Sequence, residues 1–149
     1  MDCLNGFDLV INSIILIWEM EDFKYKELTH KIIGAAMAVH RYLGCGFSEK
    51  VYQDALEQEL LAISVPFVRE PSIHANYKGV QLKSVFIPDF ICDNKVIVEL
   101  KAVKELDDMH RSQAINYAKV SGYEIALLIN FGELSLKFER FTVASRHTN

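Results

Sequence analysis

Apolar residues in the first part of the chain recur with helical spacing. From Lys26 to Leu43 they return every three or four positions, which predicts an amphipathic α-helix that Gly44 ends in the left-handed conformation. Ser48 suits the N-cap of a second helix at 49–63, and Pro66 follows that helix. The predicted buried residues are Leu28, Ile32, Ala36, Val39 and Leu43 in the first helix, and Val51, Ala55, Leu56 and Leu60 in the second.

After these helices the pattern changes to alternating and β-branched residues. It predicts three sequential antiparallel strands at about 67–76, 80–92 and 95–102, with a kink at Pro88. The turn sequences YKG and DN separate them.

A third helix and two more strands complete the predicted order. Asp107 or Asp108 caps the helix, which runs to about Ser121 and is ended by Gly122. The segments EIALLINF and LSLKFERFTV predict strands around an FGE turn. The order ααβββαββ predicts an α/β fold with a mixed central sheet flanked by helices.

The two ends of the chain differ from this pattern. The apolar run LVINSIILIW, at 9–18, is shorter than the roughly 20 residues that span a bilayer and lacks the basic flank of a signal peptide. We interpret residues 1–24 as an extension, either a strand or helix packed on the domain or sequence that precedes a true start at Met20, and we favour the second. The single domain is predicted at 25–143, and 144–149 as a frayed tail.

Length, cysteine content and net charge limit the kinds of protein that this chain can be. The chain has 149 residues, half of them hydrophobic, which suffices for one buried core. Its three cysteines form no CxxC pair or zinc-type cluster, so we expect reduced thiols in a cytoplasmic protein, with Cys92 in the core. The formal charge of -4 gives no long-range attraction for a polyanion or an anionic membrane, so any contact with nucleic acid must be local.

Within the stretch FIPDFICDNKVIVELKA, three charged residues interrupt the apolar strands where a core would favour aliphatic side chains: Asp89, Glu99 and Lys101. Burying an unpaired carboxylate costs several kcal/mol, so these charges require compensation. Glu99 and Lys101 are two apart on a strand and therefore share a face, whereas Val98 and Leu100 point to the other side.

The loop between the strands decides whether Asp89 joins this pair. A two-residue loop would place Asp89 opposite Val98, on the wrong side. A three-residue loop, Asp93-Asn94-Lys95 with Asn94 or Lys95 left-handed, places it opposite Glu99. We predict the second register, or a bulge with the same effect.

Convergence of these groups would suit a particular chemistry. Oxygen ligands from Asp89, Glu99 and the backbone carbonyl of Leu100 fit a magnesium ion that keeps several waters. Lys101 would orient or activate a water molecule and stabilise the charge of a phosphoryl transition state. The alternative from the residues alone is an ion pair between Glu99 and Lys101 on a half-exposed strand, with Asp89 capping a turn.

The arrangement Pro88-Asp89 followed by Glu99-Leu100-Lys101 resembles the PD-(D/E)XK motif of a nuclease superfamily that includes many restriction enzymes and repair exonucleases. Its αβββαβ core matches the order predicted here. GFSEKVY, at 46–52, matches the GxxExxY pattern that names a group of small bacterial and archaeal proteins in that superfamily. YKG, ELKAV, QAINYA and LLINFG are also similar and follow in order, so the resemblance covers about 26–141.

The resemblance implies roles for individual residues. Asp89 and Glu99 would be metal ligands for Mg²⁺ or Mn²⁺, and Lys101 the catalytic lysine. Glu49 matches an acidic residue that completes the metal site directly or through water.

Residues of the third helix are implicated as well. Gln113 and Tyr117 match a QxxxY motif that supports the active site and contacts nucleic acid in the exonuclease branch. His110 falls on the same helical stripe and is a further candidate for nucleic-acid contact.

The sequence therefore favours a metal-dependent nuclease acting on DNA or RNA, with DNA as the expected partner and no membrane. A non-catalytic module that binds nucleic acid or protein on the same fold is the main alternative. A purely structural network of charges is the third.

Overall fold

Three helices and seven strands follow one another in the structure, a computed structural model that describes residues 24–144. The bounds are α1 Lys26–Leu43, α2 Glu49–Ala62, β1 Phe67–Arg69, β2 Ile73–Tyr77, β3 Val80–Phe86, β4 Phe90–Cys92, β5 Val96–Lys101, α3 Asp108–Ser121, β6 Ile125–Asn130 and β7 Lys137–Thr142. The predictions for the N-terminal extension and the frayed tail lie outside the described residues, apart from the few that adjoin the domain.

A five-stranded mixed sheet in the order β1-β4-β5-β6-β7 forms the centre of the fold. The β5–β6 pair is parallel, and the β1–β4, β4–β5 and β6–β7 pairs are antiparallel. Strand β5 thus lies in the middle, buried from Val96 to Leu100. The predicted α/β fold with a mixed sheet is confirmed.

The two faces of the sheet support separate apolar clusters. Helices α1 and α2 pack on the face that carries Val96, Val98 and Leu100 of β5. Helix α3 packs on the opposite face, which carries Ile97. The period-two alternation of the strand therefore divides the core between two helical layers, and Glu99 and Lys101 belong to the α3 side.

The first two predicted strands are each divided, which corrects the sequence prediction. Residues 67–76 split into β1 and β2, and 80–92 split into β3 and β4. Glu70 takes a left-handed φ of 50° and Pro71 follows it, while Pro88 lacks the N–H that a ladder needs. The chain therefore leaves the main sheet at both points, and β2 and β3 pair as a separate two-stranded sheet.

The helix boundaries agree closely with the sequence pattern, but the conformation of Gly44 and the exposure of Val51 differ from the prediction. Gly44 has a positive φ of 70° but an extended ψ of -169°, so it is not in the left-handed helical region predicted for it. Val51 is exposed instead of buried, because α2 turns Tyr52, Gln53, Leu56 and Leu60 towards the sheet. Cys92 is buried as predicted.

Between residues 24 and 144, no helix combines the length and the hydropathy that a membrane crossing requires.

Candidate active site

The β4–β5 hairpin has the register that the three-residue loop predicts. Phe90 pairs with Val98 and Cys92 with Val96, so one further step places Asp89 opposite Glu99. The loop reverses direction through Asp93 and Asn94, with φ values of 48° and 51°. The prediction placed Asn94 or Lys95 in this conformation; Asn94 adopts it, together with Asp93. The register brings the two carboxylates to the same end of the sheet.

Asp89 is held by hydrogen bonds on both carboxylate oxygens. Its Oδ2 accepts from the backbone N–H of Leu100 at 2.8 Å, and its Oδ1 accepts from Nε2 of Gln53 at 3.1 Å. The Asp89 backbone is fixed as well, because its carbonyl accepts from the N–H of Glu70 at 2.9 Å. This carboxylate therefore has a defined orientation.

Glu99 is more deeply buried and less completely bonded. Glu99 is 4% exposed, and its Oε1 accepts a hydrogen bond from the backbone N–H of Asp89 at 3.2 Å. Oε2 has no hydrogen-bond partner among residues 24–144, and no described side-chain oxygen is both buried and unpartnered. Oε2 of Glu99 therefore has no hydrogen-bond partner in the described residues and is not completely enclosed by the protein.

The two carboxylates repel each other in a poorly solvated place. Burial, followed by the negative charge of Asp89, raises the pKa of Glu99 to about 8. Burial also raises the pKa of Asp89 to about 6, against the lowering effect of the Leu100 N–H. At neutral pH the pair therefore retains about one proton unless a cation compensates its charge.

Lys101 lies beside this pair and is not committed to another group. Its positive charge lowers the pKa of both Asp89 and Glu99, yet it forms no ion pair within 4.0 Å in the described part of the chain. The side chain is half-buried at the end of β5. Its amine is thus free to contact a ligand of the carboxylate pair.

Asn130, which the sequence analysis did not select, builds the other side of this strand end. It pairs with Lys101 across the parallel β5–β6 ladder and is completely buried. Its Oδ1 accepts from the N–H groups of Val103 at 3.0 Å and Gly132 at 3.1 Å, and its Nδ2 donates to the Val103 carbonyl at 2.9 Å. A second Nδ2 hydrogen bond reaches Oε2 of Glu133 at 2.9 Å.

Gly132 contributes to the same framework. A Cβ at this position would lie 2.2 Å from the Val103 carbonyl oxygen, so only glycine permits this approach of two backbones. The segment after Lys101 is consequently fixed against the end of β6. A polar Asn that ends an otherwise apolar strand was the signal that could have identified this role.

Gln53 is the second residue that sequence reasoning missed. It is 2% exposed and joins Asp89 to Arg69, whose Nη2 donates to Gln53 Oε1 at 2.9 Å. Nothing in the helical pattern of α2 indicates this contact, because it depends on how the helix is placed over the end of β4.

The GxxExxY segment divides into an exposed acid and a buried aromatic residue. Glu49 is exposed in the first turn of α2, and its charge raises the pKa of Asp89 and Glu99 without a direct contact. Tyr52 is completely buried, stacks on Phe131 at 4.6 Å and donates to the Gly44 carbonyl at 2.6 Å. Tyr52 therefore fixes the α1–α2 connection.

Two of the three residues selected on α3 contact each other, and one of these two also contacts the β2–β3 hairpin. Nε2 of Gln113 donates to the hydroxyl of Tyr117 at 3.0 Å, and the Tyr117 ring stacks on Phe86 at 4.9 Å. His110 has a capping role: its N–H donates to Asp107 Oδ1 at 2.9 Å, and its Nδ1 accepts from the Asp107 N–H at 3.1 Å. No hydrogen bond in the described residues links these side chains to the carboxylate pair.

The donor set at the strand end fits a hard divalent cation. Residues 24–144 contain no group of three or more His, Cys, Asp or Glu side chains that could hold a metal alone. The two carboxylates of Asp89 and Glu99 nevertheless match Mg²⁺, which keeps several waters and commonly takes only one or two protein carboxylates. A cation would also remove the repulsion that raises the pKa of both acids.

Comparison with known proteins identifies the family of this chain. The sequence matches no curated protein at a significant level. A solved structure titled "Crystal structure of SSO0001" is similar to this chain, with 18% sequence identity and a TM-score of 0.49. The matched region covers 64% of this chain and 50% of that one, so this chain spans about half the length of that protein. The profile of the PD-(D/E)XK nuclease superfamily matches residues 26–141. This chain therefore belongs to the PD-(D/E)XK nuclease superfamily.

Proposed function

We propose that this protein is a metal-dependent nuclease of the GxxExxY group, which hydrolyses phosphodiester bonds with Asp89, Glu99 and Lys101 at its centre. The observation that carries the proposal is the β4–β5 register, with a hydrogen bond of 3.2 Å from the Asp89 N–H to Glu99. Membership of the superfamily suggests nucleic acid as the substrate, with DNA expected before RNA.

Asp89, Glu99 and the Leu100 carbonyl would hold Mg²⁺ or Mn²⁺. When bound, such an ion polarises a phosphoryl oxygen and makes water a better nucleophile. Asp89 enters this role with its orientation already fixed, and Glu99 offers Oε2. The chemistry of the donors, all oxygen and two of them negatively charged, supports this assignment.

Lys101 would act on the substrate side of the pair. Its side-chain amine is a donor that can reach a phosphoryl oxygen or orient the attacking water. The water would attack phosphorus and lose a proton to solvent, while the P–O bond to the leaving nucleotide breaks and the leaving oxygen takes up a proton from solvent. Lys101 would stabilise the negative charge that develops on the phosphoryl oxygens. Its lack of an ion-pair partner within residues 24–144 supports this role.

The outer residues have supporting roles in the proposal. Glu49 is a candidate for a water-mediated contact with the cation, since its charge influences both carboxylates without touching them. Gln113 and Tyr117 would contact the nucleic acid where α3 meets the β2–β3 hairpin.

A cleavage assay tests the proposal. Single- and double-stranded DNA and single-stranded RNA are incubated with the purified protein and Mg²⁺ or Mn²⁺, with EDTA as the metal-free arm. Lys101→Met is expected to reduce the rate by about 100-fold or more, as losing a charge-stabilising donor typically does. Lys31→Met, at an exposed position of α1, is the matched control and should stay within about twofold of the wild type.

Cleavage of no substrate by the wild-type protein, or equal cleavage by Lys101→Met, would contradict the nuclease proposal. Metal-independent binding of nucleic acid without cleavage would favour the binding module instead.

A further inference from the structure

Gln53 is a buried side chain whose two ends contact different groups. Its Nε2 donates to Oδ1 of Asp89 at 3.1 Å. Its Oε1 accepts from Nη2 of Arg69 at 2.9 Å and from Nζ of Lys50 at 3.3 Å. All the polar atoms of this amide are therefore used at a position that is 2% exposed.

The chemistry of its partners fixes the orientation of the Gln53 amide. Arginine and lysine side chains can only donate hydrogen bonds, so the amide oxygen must face Arg69 and Lys50. A flipped amide would place its NH₂ against these two cations and its oxygen against the Asp89 carboxylate. The donor towards Asp89 is thus determined by charge.

Arg69 anchors the amide without contacting Asp89. Its side chain is 19% exposed and binds Asp54 at 2.6 Å and Glu57 at 2.5 Å, and these two acids neutralise its charge. Arg69 therefore holds Gln53 without pairing with the negative charge of Asp89.

A neutral amide and an arginine would affect Asp89 differently. An arginine paired directly with this carboxylate would orient it, but would also neutralise it and compete with a cation. The amide orients the carboxylate and leaves its charge available. Together with the Leu100 N–H, Gln53 occupies one acceptor position on each Asp89 oxygen and leaves the others for a ligand.

We propose that Gln53 is a positioning residue, which fixes the Asp89 carboxylate for cation binding and is itself anchored by Arg69. The inference rests on the proposed function, because it assigns Asp89 to a cation. Hydrogen-bonding partners of metal-binding carboxylates typically contribute about 10- to 100-fold in metal affinity.

Three variants separate positioning from general stability. Gln53→Met removes both ends of the amide with little change in shape. Gln53→Glu keeps an acceptor for Arg69, so that the support of the fold is retained, but cannot donate to Asp89 as a carboxylate. Glu57→Gln is the control, because it alters an Arg69 ion pair without touching Gln53 or Asp89.

Two measurements decide the matter. Crystal structures of the metal-free proteins report the Asp89 side-chain torsions, and titration with Mn²⁺ reports affinity. We expect the carboxylate to rotate in Gln53→Met and Gln53→Glu, with Mn²⁺ affinity reduced about 10- to 100-fold, and to stay unchanged in Glu57→Gln. If Gln53→Met does not fold, Gln53→Glu supplies the answer.

An unchanged Asp89 orientation with affinity within twofold of the wild type would overturn the positioning role. If the wild-type protein binds no Mn²⁺, the proposed function fails, and the Asp89 torsions alone decide whether Gln53 positions this carboxylate.

Discussion

The buried polar groups on the two sides of the C-terminal end of β5 differ in charge and in how completely they are hydrogen-bonded. Towards β6, Asn130 is neutral and makes four hydrogen bonds with neighbouring groups. Towards β4, Asp89 and Glu99 are acids in close contact, and Glu99 leaves Oε2 without a protein partner. The neutral, satisfied group serves the fold, whereas the charged, incomplete pair is suited to bind a ligand.

Removing Asn130 should produce the largest loss of stability. Asn130→Leu would leave the N–H and carbonyl of Val103 and the N–H of Gly132 without their partner. We expect the free energy of unfolding to fall by about 3–4 kcal/mol, since each buried polar group left unpaired costs about 1–3 kcal/mol. Urea denaturation measures the change.

Asn116→Ala, at an exposed position of α3, is the control for Asn130 and should change stability by less than about 0.5 kcal/mol. A similar small effect of Asn130→Leu would remove the distinction between the two sides of the strand end.

A substitution at Gly132 tests how closely the backbone at the end of β6 packs against Val103. In Gly132→Ala the new Cβ would lie 2.2 Å from the Val103 carbonyl oxygen, so the backbone must shift. We expect a loss of about 2–3 kcal/mol, as for overpacking in a core. Gly34→Ala is the matched control in α1, where nothing lies within 4 Å, and should be neutral or stabilising by up to about 1 kcal/mol.

The carboxylate pair should make the stability of the protein depend on pH. Because the pKa of Asp89 is raised to about 6 and that of Glu99 to about 8, the folded protein binds protons more tightly than the unfolded chain. Without metal, the contribution of these two groups to stability should therefore be fully present below their ordinary pKa values of 3.8 and 4.5 and be lost as the pH rises through about 6 and 8. We expect the free energy of unfolding to fall by about 1–3 kcal/mol across this range.

Glu99→Gln should flatten this dependence, because it removes one buried titrating group and the repulsion on Asp89. Glu105→Gln, an exposed acid, should leave it unchanged. Denaturant melts at several pH values in EDTA compare the three proteins. A wild-type protein that becomes more stable towards pH 8 would contradict the assignment of an uncompensated carboxylate pair.

The comparison can be extended to His110, a polar residue that could either support the fold or contact a ligand. Its Nδ1 accepts from the Asp107 N–H, as in a capping box that serves the helix. We therefore expect His110→Ala to cost less than about 1 kcal/mol and to leave nucleic-acid affinity unchanged. A fluorescence-anisotropy titration with labelled DNA would contradict this if affinity fell tenfold.

The sequence predicted the parts of the fold that depend on local periodicity and turn chemistry. Helices α1 and α3 begin and end at the expected residues, and the Asp93-Asn94-Lys95 loop gives the expected register. These features depend on neighbours in the chain, such as a capping Asp107 or a left-handed Asn94. The division of the first strand at Glu70 was missed, and the break at Pro88 was predicted only as a kink, because both halves of each segment have the composition of strands.

The candidate site was predicted only where strand alternation determines direction. Glu99 and Lys101 share a face by their spacing, and Asp89 follows from the register. Gln53 and Asn130 could not be assigned in this way, since their partners lie 36 and 27 residues away in the chain. Their roles depend on how helix α2 and strand β6 are packed.

The central claim is that Asp89 and Glu99 together form a site for one divalent cation. The direct measurement is calorimetric titration of the metal-free protein with Mn²⁺ at neutral pH, for the wild type, Asp89→Asn and the exposed control Asp108→Asn. We predict one saturable site with proton release in the wild type and in Asp108→Asn, and loss of that site in Asp89→Asn. No saturable binding by the wild type, or equal binding by Asp89→Asn, would contradict the claim.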